Sequence, residues 1–158
     1  MANGITGMKA DRATRLFVVF LVATDLVMAA AAFVLAYVLR LAVPIPEPAE
    51  SMRPFVEHIP MMVVHVLSLL GVFFFANLYR LARASRLDEV SGIVVGSTIG
   101  TLMGVALDSL MLRNFVIGQD YSRVMIFYAW LLSIVLVGVG RLVNDRIRRR
   151  LILSLIHI

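Results

Sequence analysis

The chain has 158 residues, of which 61% are hydrophobic, carries a net charge of +5 and contains no cysteine. Soluble domains are about 45–50% apolar, and here the apolar residues form blocks with the charges mostly between them, which indicates a multi-spanning membrane protein. The absence of cysteine excludes disulfides, thiolate zinc sites and iron–sulfur sites. Because the arginines lie beside apolar blocks, we attribute the positive charge to membrane orientation and expect no nucleic-acid partner.

Four apolar blocks are long enough to cross a bilayer, which takes about 20 residues. Residues 1–15 precede them as a basic N-terminal segment, and the apolar run that follows is too long for a cleaved signal peptide. The predicted fold is all-α, a four-helix transmembrane bundle within residues 16–150. Its predicted spans are residues 16–39, 59–78, 90–112 and 124–143.

The connections between the spans differ in composition. The first, residues 44–60, holds all five prolines, which predict that both flanking helices end there. The second is short and basic, and the third is short and mixed in charge.

The distribution of positive charge predicts the topology. Of the 15 Lys and Arg residues, only Arg40, Arg53, Arg113 and Arg123 lie in the first and third connections or their flanks. The other eleven lie in the N-terminal segment, the second connection and the C-terminal end. The positive-inside rule therefore predicts that both termini lie on the cytoplasmic side of the lipid bilayer.

A row of small residues marks the third predicted span. Gly92, Gly96, Gly100 and Gly104 recur every four residues, although glycine costs a soluble helix about 1 kcal/mol relative to alanine. In lipid, small residues let two helix backbones approach closely. We predict that this row packs against the alanines of the first span, notably Ala32 and Ala36. The alternative use of the same row is the seam of a homo-oligomer.

Four ionisable residues lie within or near the spans, where a charge costs about 3 kcal/mol on insertion scales and usually has a partner. Asp25 and Arg141 both lie toward the cytoplasmic side, and we predict that they form an ion pair that fixes helix register. A proton or substrate relay is the alternative. Asp108 is expected at the outer interface, within reach of Arg113 or water, and His65 is expected as a hydrogen-bonded core residue.

No catalytic motif, phosphate loop or metal-binding motif is present. Three stretches nevertheless resemble one family in order and spacing: DLVMAAAAFVLAYVLR in the first span, NLYRLARASRLDE in the second connection, and DYSRVMIFYAWLLSIVLVGVGR across the fourth span. They are similar to the N-terminal membrane region of the bacterial polyprenyl-phosphate glycosyl-1-phosphate transferases. The residues at the motif positions are Asp25, Arg40, Tyr79, Arg80, Arg83, Ser85, Arg86, Asp88, Glu89, Tyr121, Ser122, Arg123 and Arg141. Asn77 departs from the pattern, since the family often has glycine before LYR.

The resemblance implies a membrane-anchoring and orienting function at the inner membrane of a bacterium. Enzymes of this family transfer a sugar phosphate from a UDP-sugar to undecaprenyl phosphate, at the start of exopolysaccharide synthesis, with magnesium and an aspartate nucleophile in a C-terminal domain. The resemblance therefore implies no catalytic, cofactor or metal residue within these 158 residues. The implied partners are polyprenyl phosphate and the enzyme's own downstream catalytic domain.

Other functions remain open. Membrane-bound nucleotide-sugar epimerases and dehydratases resemble the chain in having four N-terminal spans, although that family usually has PRS where this chain has YSR. A small four-helix transporter would need ionisable residues that face one cavity near the midplane, whereas Asp25 and Asp108 are expected at different depths. A membrane scaffold that recruits partners through the glycine row is the third alternative.

The C-terminal tail, residues 151–158, ends in LSLIHI. One reverse translation of residues 153–158 is a transposon-end sequence used in sequencing-library adapters. We therefore interpret these six residues as adapter read-through and expect the natural reading frame to continue after about Ile152. The alternative is an amphipathic tail on the inner leaflet.

Overall fold

The computed structural model describes residues 3–43, 53–79, 86–112 and 123–156, and describes side chains within residues 15–43, 53–79, 87–110 and 123–147. Four helices, α1 (Asn3–Ala42), α2 (Phe55–Phe75), α3 (Arg86–Leu107) and α4 (Arg123–Ile156), make up this part of the chain. A π-helical turn, Asp108–Leu112, continues α3. Since the described residues include no strand, the predicted all-α fold is confirmed.

Each helix contains a stretch that is long and apolar enough to cross a membrane. These stretches are Arg15–Ala42, Phe55–Phe75, Leu87–Leu110 and Arg123–Ile147. They overlap all four predicted spans, because about 20 apolar residues in succession are the strongest signal that a sequence of this kind carries.

The start of α2 corrects one sequence prediction. The prolines of the first connection were expected to end both flanking helices, but α2 begins at Phe55 and contains Pro60. Pro54 occupies the N-cap position in extended geometry. Pro60 lies in the second turn of the helix, where its missing N–H leaves the Val56 carbonyl without the usual helical donor.

The C-terminus of α2 ends in a Schellman turn. The N–H of Leu78 donates to the Phe73 carbonyl at 2.9 Å, and the N–H of Asn77 donates to the Phe74 carbonyl at 3.0 Å. This pattern requires a left-handed residue after the cap, and Asn77 has a φ of 56°. Leu78 and Phe73 also belong to one buried cluster, as the hydrophobic contact of the motif requires.

The helices occupy the corners of a square in chain order, so that each neighbouring pair is antiparallel. The most extensive contacts join α1 to α4 and α2 to α3, whereas α1 and α3 are diagonal and do not pack together in the described part of the chain. The prediction that the glycine row packs against the first span was therefore wrong.

The glycine row of α3 packs instead against α2. A Cβ added to Gly96 would lie 2.8 Å from the Phe73 ring, and one added to Gly100 would lie 2.9 Å from the Leu69 Cα. A Cβ on Gly104 would lie 3.4 Å from the Cα of His65. Gly92 is half-buried at the start of the row. Because α2 covers this face, the row is not available as the seam of a homo-oligomer.

Ala32 and Ala36 of α1 face the bundle interior, where both are fully buried. Ala36 shares a cluster with Met125 and Ala129 of α4. Small residues thus allow close packing in both tight helix pairs, with the alanines of α1 against α4 and the glycines of α3 against α2.

The outer surface of the bundle is apolar. Leucine, valine, isoleucine and phenylalanine side chains point outward along all four helices, among them Phe75, which is 83% exposed. A soluble monomer seldom exposes so large an apolar surface. This surface is compatible with contact with the hydrocarbon of a bilayer.

Candidate functional site: a buried charged cluster

The ion pair of Asp25 and Arg141 lies in the interior of the bundle and joins α1 to α4. The Arg141 side chain donates from Nε to Asp25 Oδ1 at 3.3 Å and from Nη2 to Asp25 Oδ2 at 2.5 Å. This is the two-pronged geometry that makes guanidinium–carboxylate pairs strong. The side chains of Arg141 and Asp25 are only 2% and 1% exposed, so the structure brings together the two residues that the sequence paired.

Arg141 also contacts the other two helices. Its Nη1 donates to the Leu78 carbonyl at 3.2 Å and lies 4.0 Å from Glu89 Oε1 at the start of α3. The guanidinium carbon lies 5.3 Å from the centre of the Phe73 ring and 5.4 Å from that of Tyr79, within cation–π range. One side chain of α4 therefore contacts α1, α3 and the end of α2. We call Asp25, Leu78, Tyr79, Glu89 and Arg141 the charged cluster.

Tyr79 is the aromatic member of the charged cluster. Its hydroxyl lies beside Asp25 and Arg141 but makes no hydrogen bond of standard geometry. Burial raises the pKa of the Tyr79 phenol, and the neighbouring Asp25 carboxylate raises it further. The phenol therefore remains neutral and contributes a dipole and an aromatic face instead of a charge.

The Schellman turn at the end of α2 explains how a backbone carbonyl becomes part of the charged cluster. The left-handed residue Asn77 ends α2 and turns the chain, and Leu78 follows with its side chain in the core and its carbonyl toward Arg141. Sequence reasoning missed this carbonyl, because no side-chain pattern reports a backbone acceptor. The LYR element and its preceding turn residue are the signal that could have located it.

The geometry favours a structural function for the ion pair. Three guanidinium nitrogens of Arg141 already donate to protein oxygens, and both charged side chains are almost completely buried. A relay needs groups that can exchange partners with substrate or solvent. The cluster is instead arranged to hold four helices in one register.

His65 and Asp108 lie away from the charged cluster. His65 is buried and its Nε2 shares a hydrogen bond of 3.3 Å with Ser133 Oγ of α4, which confirms a hydrogen-bonded core histidine. Asp108 opens the π-helical turn and is 8% exposed. Its Oδ1 has no hydrogen-bond partner among the described residues. Arg113, its expected partner, lies outside the described residues.

The opposite end of the bundle carries Tyr37 and Arg40. The Tyr37 hydroxyl donates to the Arg53 carbonyl at 3.1 Å, and its ring contacts Phe55 and His58 edge-on. Arg40 is buried, and its Nη1 reaches the Val43 carbonyl at 3.5 Å. The Tyr37 contacts join α1 to the start of α2, whereas the Arg40 bond lies at the end of α1 itself.

Four of the motif positions converge, although they are far apart in sequence. Asp25, Tyr79, Glu89 and Arg141 all belong to the charged cluster, while Asp88 and Arg123 are exposed near helix starts. Arg40 is buried at the opposite end of the bundle. The other six motif positions lie outside the residues whose side chains are described, namely Arg80, Arg83, Ser85, Arg86, Tyr121 and Ser122.

An open groove of about 420 Å³ lies beside the charged cluster. Its walls are Val18 of α1 and Phe74, Phe75, Asn77 and Tyr79 of the α2 end. The groove is mainly apolar and reaches the surface of the bundle, so it can accommodate part of a hydrocarbon chain.

In the described part of the chain, no three His, Asp or Glu side chains are grouped so that they could hold a metal ion. No protein-family model matches the chain, and neither a curated protein nor a solved structure is significantly similar to it.

Proposed function

We propose that the chain is the membrane domain of a polyprenyl-phosphate sugar-1-phosphate transferase and that it anchors and orients a catalytic domain at the inner membrane of a bacterium. The observation that carries the proposal is the charged cluster. Asp25, Tyr79, Glu89 and Arg141, all positions of the family motif, meet at one end of the bundle.

The chemistry of the cluster supports anchoring over transport. The buried charges are neutralised by each other, and the donors of Arg141 are used within the protein. A bundle held in this way keeps α4 in a fixed position relative to the other helices. Because α4 continues as a helix past Arg150, it can transmit that position to the proposed catalytic domain.

Anchoring serves the reaction by raising local concentration. An enzyme and a lipid-linked acceptor that are confined to one surface meet more often than two molecules in solution. The groove between Val18 and Phe75 is a candidate contact for the isoprenoid chain of polyprenyl phosphate. The basic residues after Arg141 favour the anionic inner leaflet.

The proposal is tested by the coding sequence and by activity. The DNA downstream of the codon for Ile152 should encode, in frame, a domain with an aspartate nucleophile. A dinucleotide-binding domain there would instead support the epimerase or dehydratase alternative. The purified chain should transfer no sugar phosphate from a UDP-sugar to polyprenyl phosphate, and measurable transfer would overturn the assignment of catalysis to a separate domain.

A transport assay addresses the remaining alternative. The chain in proteoliposomes should show no proton-coupled flux above that of empty vesicles. Flux that disappears in the Asp25→Asn variant but persists in the exposed control Glu57→Gln would replace the anchor with a transporter.

A further inference from the structure

Several buried polar side chains of the bundle lack a partner. Six buried side-chain atoms of the described residues make no hydrogen bond, and all belong to side chains that face the interior. They are Ser68 Oγ, Tyr79 OH, Ser97 Oγ, Thr101 Oγ1, Asp108 Oδ1 and Asn144 Nδ2. Native proteins leave few such atoms unpaired, and each one calls for an explanation.

Three of these residues form a line along α3. Ser97, Thr101 and Asp108 are spaced by four and seven residues, which places them on one face of the helix. They are 0%, 5% and 8% exposed. The line therefore runs from the middle of α3 to the π-helical turn at its end.

Helix α2 adds a fourth member to this line. The Ser68 hydroxyl would lie 3.6 Å from a Cβ placed on Gly104, and Gly104 lies between Thr101 and Asp108 on the same face of α3. His65, one turn earlier in α2, is hydrogen-bonded to Ser133 of α4. The polar side chains of three helices thus approach one another at this level.

The helix pairs that meet near these groups are not packed equally. Contacts are extensive within the α1–α4 pair and the α2–α3 pair, and they are sparse between α3 and α4 and between α1 and α2. Along the glycine row, the atom nearest to an added Cβ would lie 2.8 Å away at Gly100 and 3.4 Å away at Gly104. At Asp108 the backbone then widens into a π-helical turn, a feature frequent at functional sites.

We propose that Ser68, Ser97, Thr101 and Asp108 bind a file of water molecules inside the bundle, which extends from Asp108 to the middle of α3. A hydroxyl donates and accepts hydrogen bonds, and a carboxylate oxygen accepts them. Water can therefore form a hydrogen bond with each of these four side chains. Buried water typically bridges polar groups that have no protein partner. This inference goes beyond an anchoring function, which needs no hydrated interior.

The threonines of the chain provide a test with internal controls. Thr24 donates to the Phe20 carbonyl at 2.9 Å. Thr98 donates to the Val94 carbonyl at 2.8 Å and accepts from Trp130 Nε1 at 3.1 Å. Both lie within apolar stretches, as Thr101 does, but their hydroxyls are satisfied by protein. Only Thr101 among these three should contact water.

The experiment is water-edited solid-state NMR on the whole chain, labelled with ¹³C-threonine, in phospholipid vesicles. Magnetisation from water should reach Thr101 at least about threefold faster than Thr24 and Thr98, because a bound water would lie within hydrogen-bond distance of its hydroxyl. The Thr101→Val variant assigns the signal. Equal build-up at the three threonines would overturn the proposal.

A second measurement uses the absence of cysteine from the chain. Silver ions are small enough to follow a file of water, so a Thr101→Cys variant in vesicles should react with aqueous silver. The matched variant Leu102→Cys, which replaces a side chain that faces outward and is 66% exposed, should remain protected by lipid. Protection at both positions would show that the interior is dry.

Discussion

A single side chain, Arg141, contacts all three of the other helical segments. Its ion pair with Asp25 is buried in a bundle whose exterior is hydrocarbon-like. Burial of two charges is costly, and the net gain of such a pair over apolar residues is small. The loss of one partner is different, because it leaves an uncompensated charge in the interior.

We therefore expect Asp25→Ala to lower the free energy of unfolding by about 3–5 kcal/mol. The exposed ion pair of Arg53 and Glu57, at 3.1 Å, provides the control, since Glu57→Ala should cost less than about 1 kcal/mol. Both values can be measured by reversible unfolding in detergent. Equal losses for the two variants would contradict a special role for the buried pair.

Asn77 provides a second prediction at a single position. Its φ of 56° disfavours side chains that branch at Cβ, so Asn77→Val should lower stability by about 1–2 kcal/mol. Asn77→Gly should leave stability unchanged or slightly higher, because glycine adopts a positive φ without steric cost. A stable Asn77→Val variant in the same unfolding assay would show that the left-handed turn is not required.

Among the helices, the contact between α2 and α3 depends on the absence of side chains. A Cβ on Gly100 would lie 2.9 Å from the Leu69 Cα, and a backbone atom cannot move aside alone. A Cβ added to Gly138 of α4 would have no neighbouring atom within 4 Å. The two glycines thus form a matched pair for one substitution.

Gly100→Ala should lower the free energy of unfolding by about 1–3 kcal/mol, because it forces α2 and α3 apart. Gly138→Ala should be neutral or stabilising, since alanine has the higher helix propensity. Thermal denaturation in detergent distinguishes the two. Tolerance of Gly100→Ala would indicate that the helices do not approach as closely as described.

The same contact shows what the sequence could and could not predict. A row of small residues predicts close approach, but it does not name the neighbouring helix. The short connection between α2 and α3 favours packing of those two helices as an antiparallel pair, and the long first connection carries no such constraint. The partner of Gly100 was therefore predicted wrongly, although its close packing was predicted correctly.

The charged cluster was predictable only in part, for a related reason. Asp25 and Arg141 can be identified from the sequence, because charges in apolar segments need partners. The Leu78 carbonyl carries no such signal, since every residue has a backbone acceptor and only the fold shows which one Arg141 reaches. The same holds outside the cluster for the Ser133 hydroxyl that binds His65.

For the whole molecule, the charge distribution and the antiparallel packing together predict the orientation of the bundle in the membrane. Each helix runs opposite to its neighbours, so four crossings would leave both ends of the chain on one side of the membrane. The charged cluster lies at the end of the bundle where α2 ends and α3 begins. That end is also where most of the basic residues of the sequence lie, and basic residues are retained in the cytoplasm.

The orientation can be tested with single-cysteine variants. Because the chain contains no cysteine, such a variant has no other thiol that could be labelled. Ser85 lies in the basic second connection and Ser51 in the first connection, and replacing either serine by cysteine is conservative. In intact cells an impermeant maleimide should label Ser51→Cys and not Ser85→Cys, whereas permeabilised cells should show labelling of both. The reverse pattern would place the charged cluster on the outer side and would contradict the proposed cytoplasmic catalytic domain after α4.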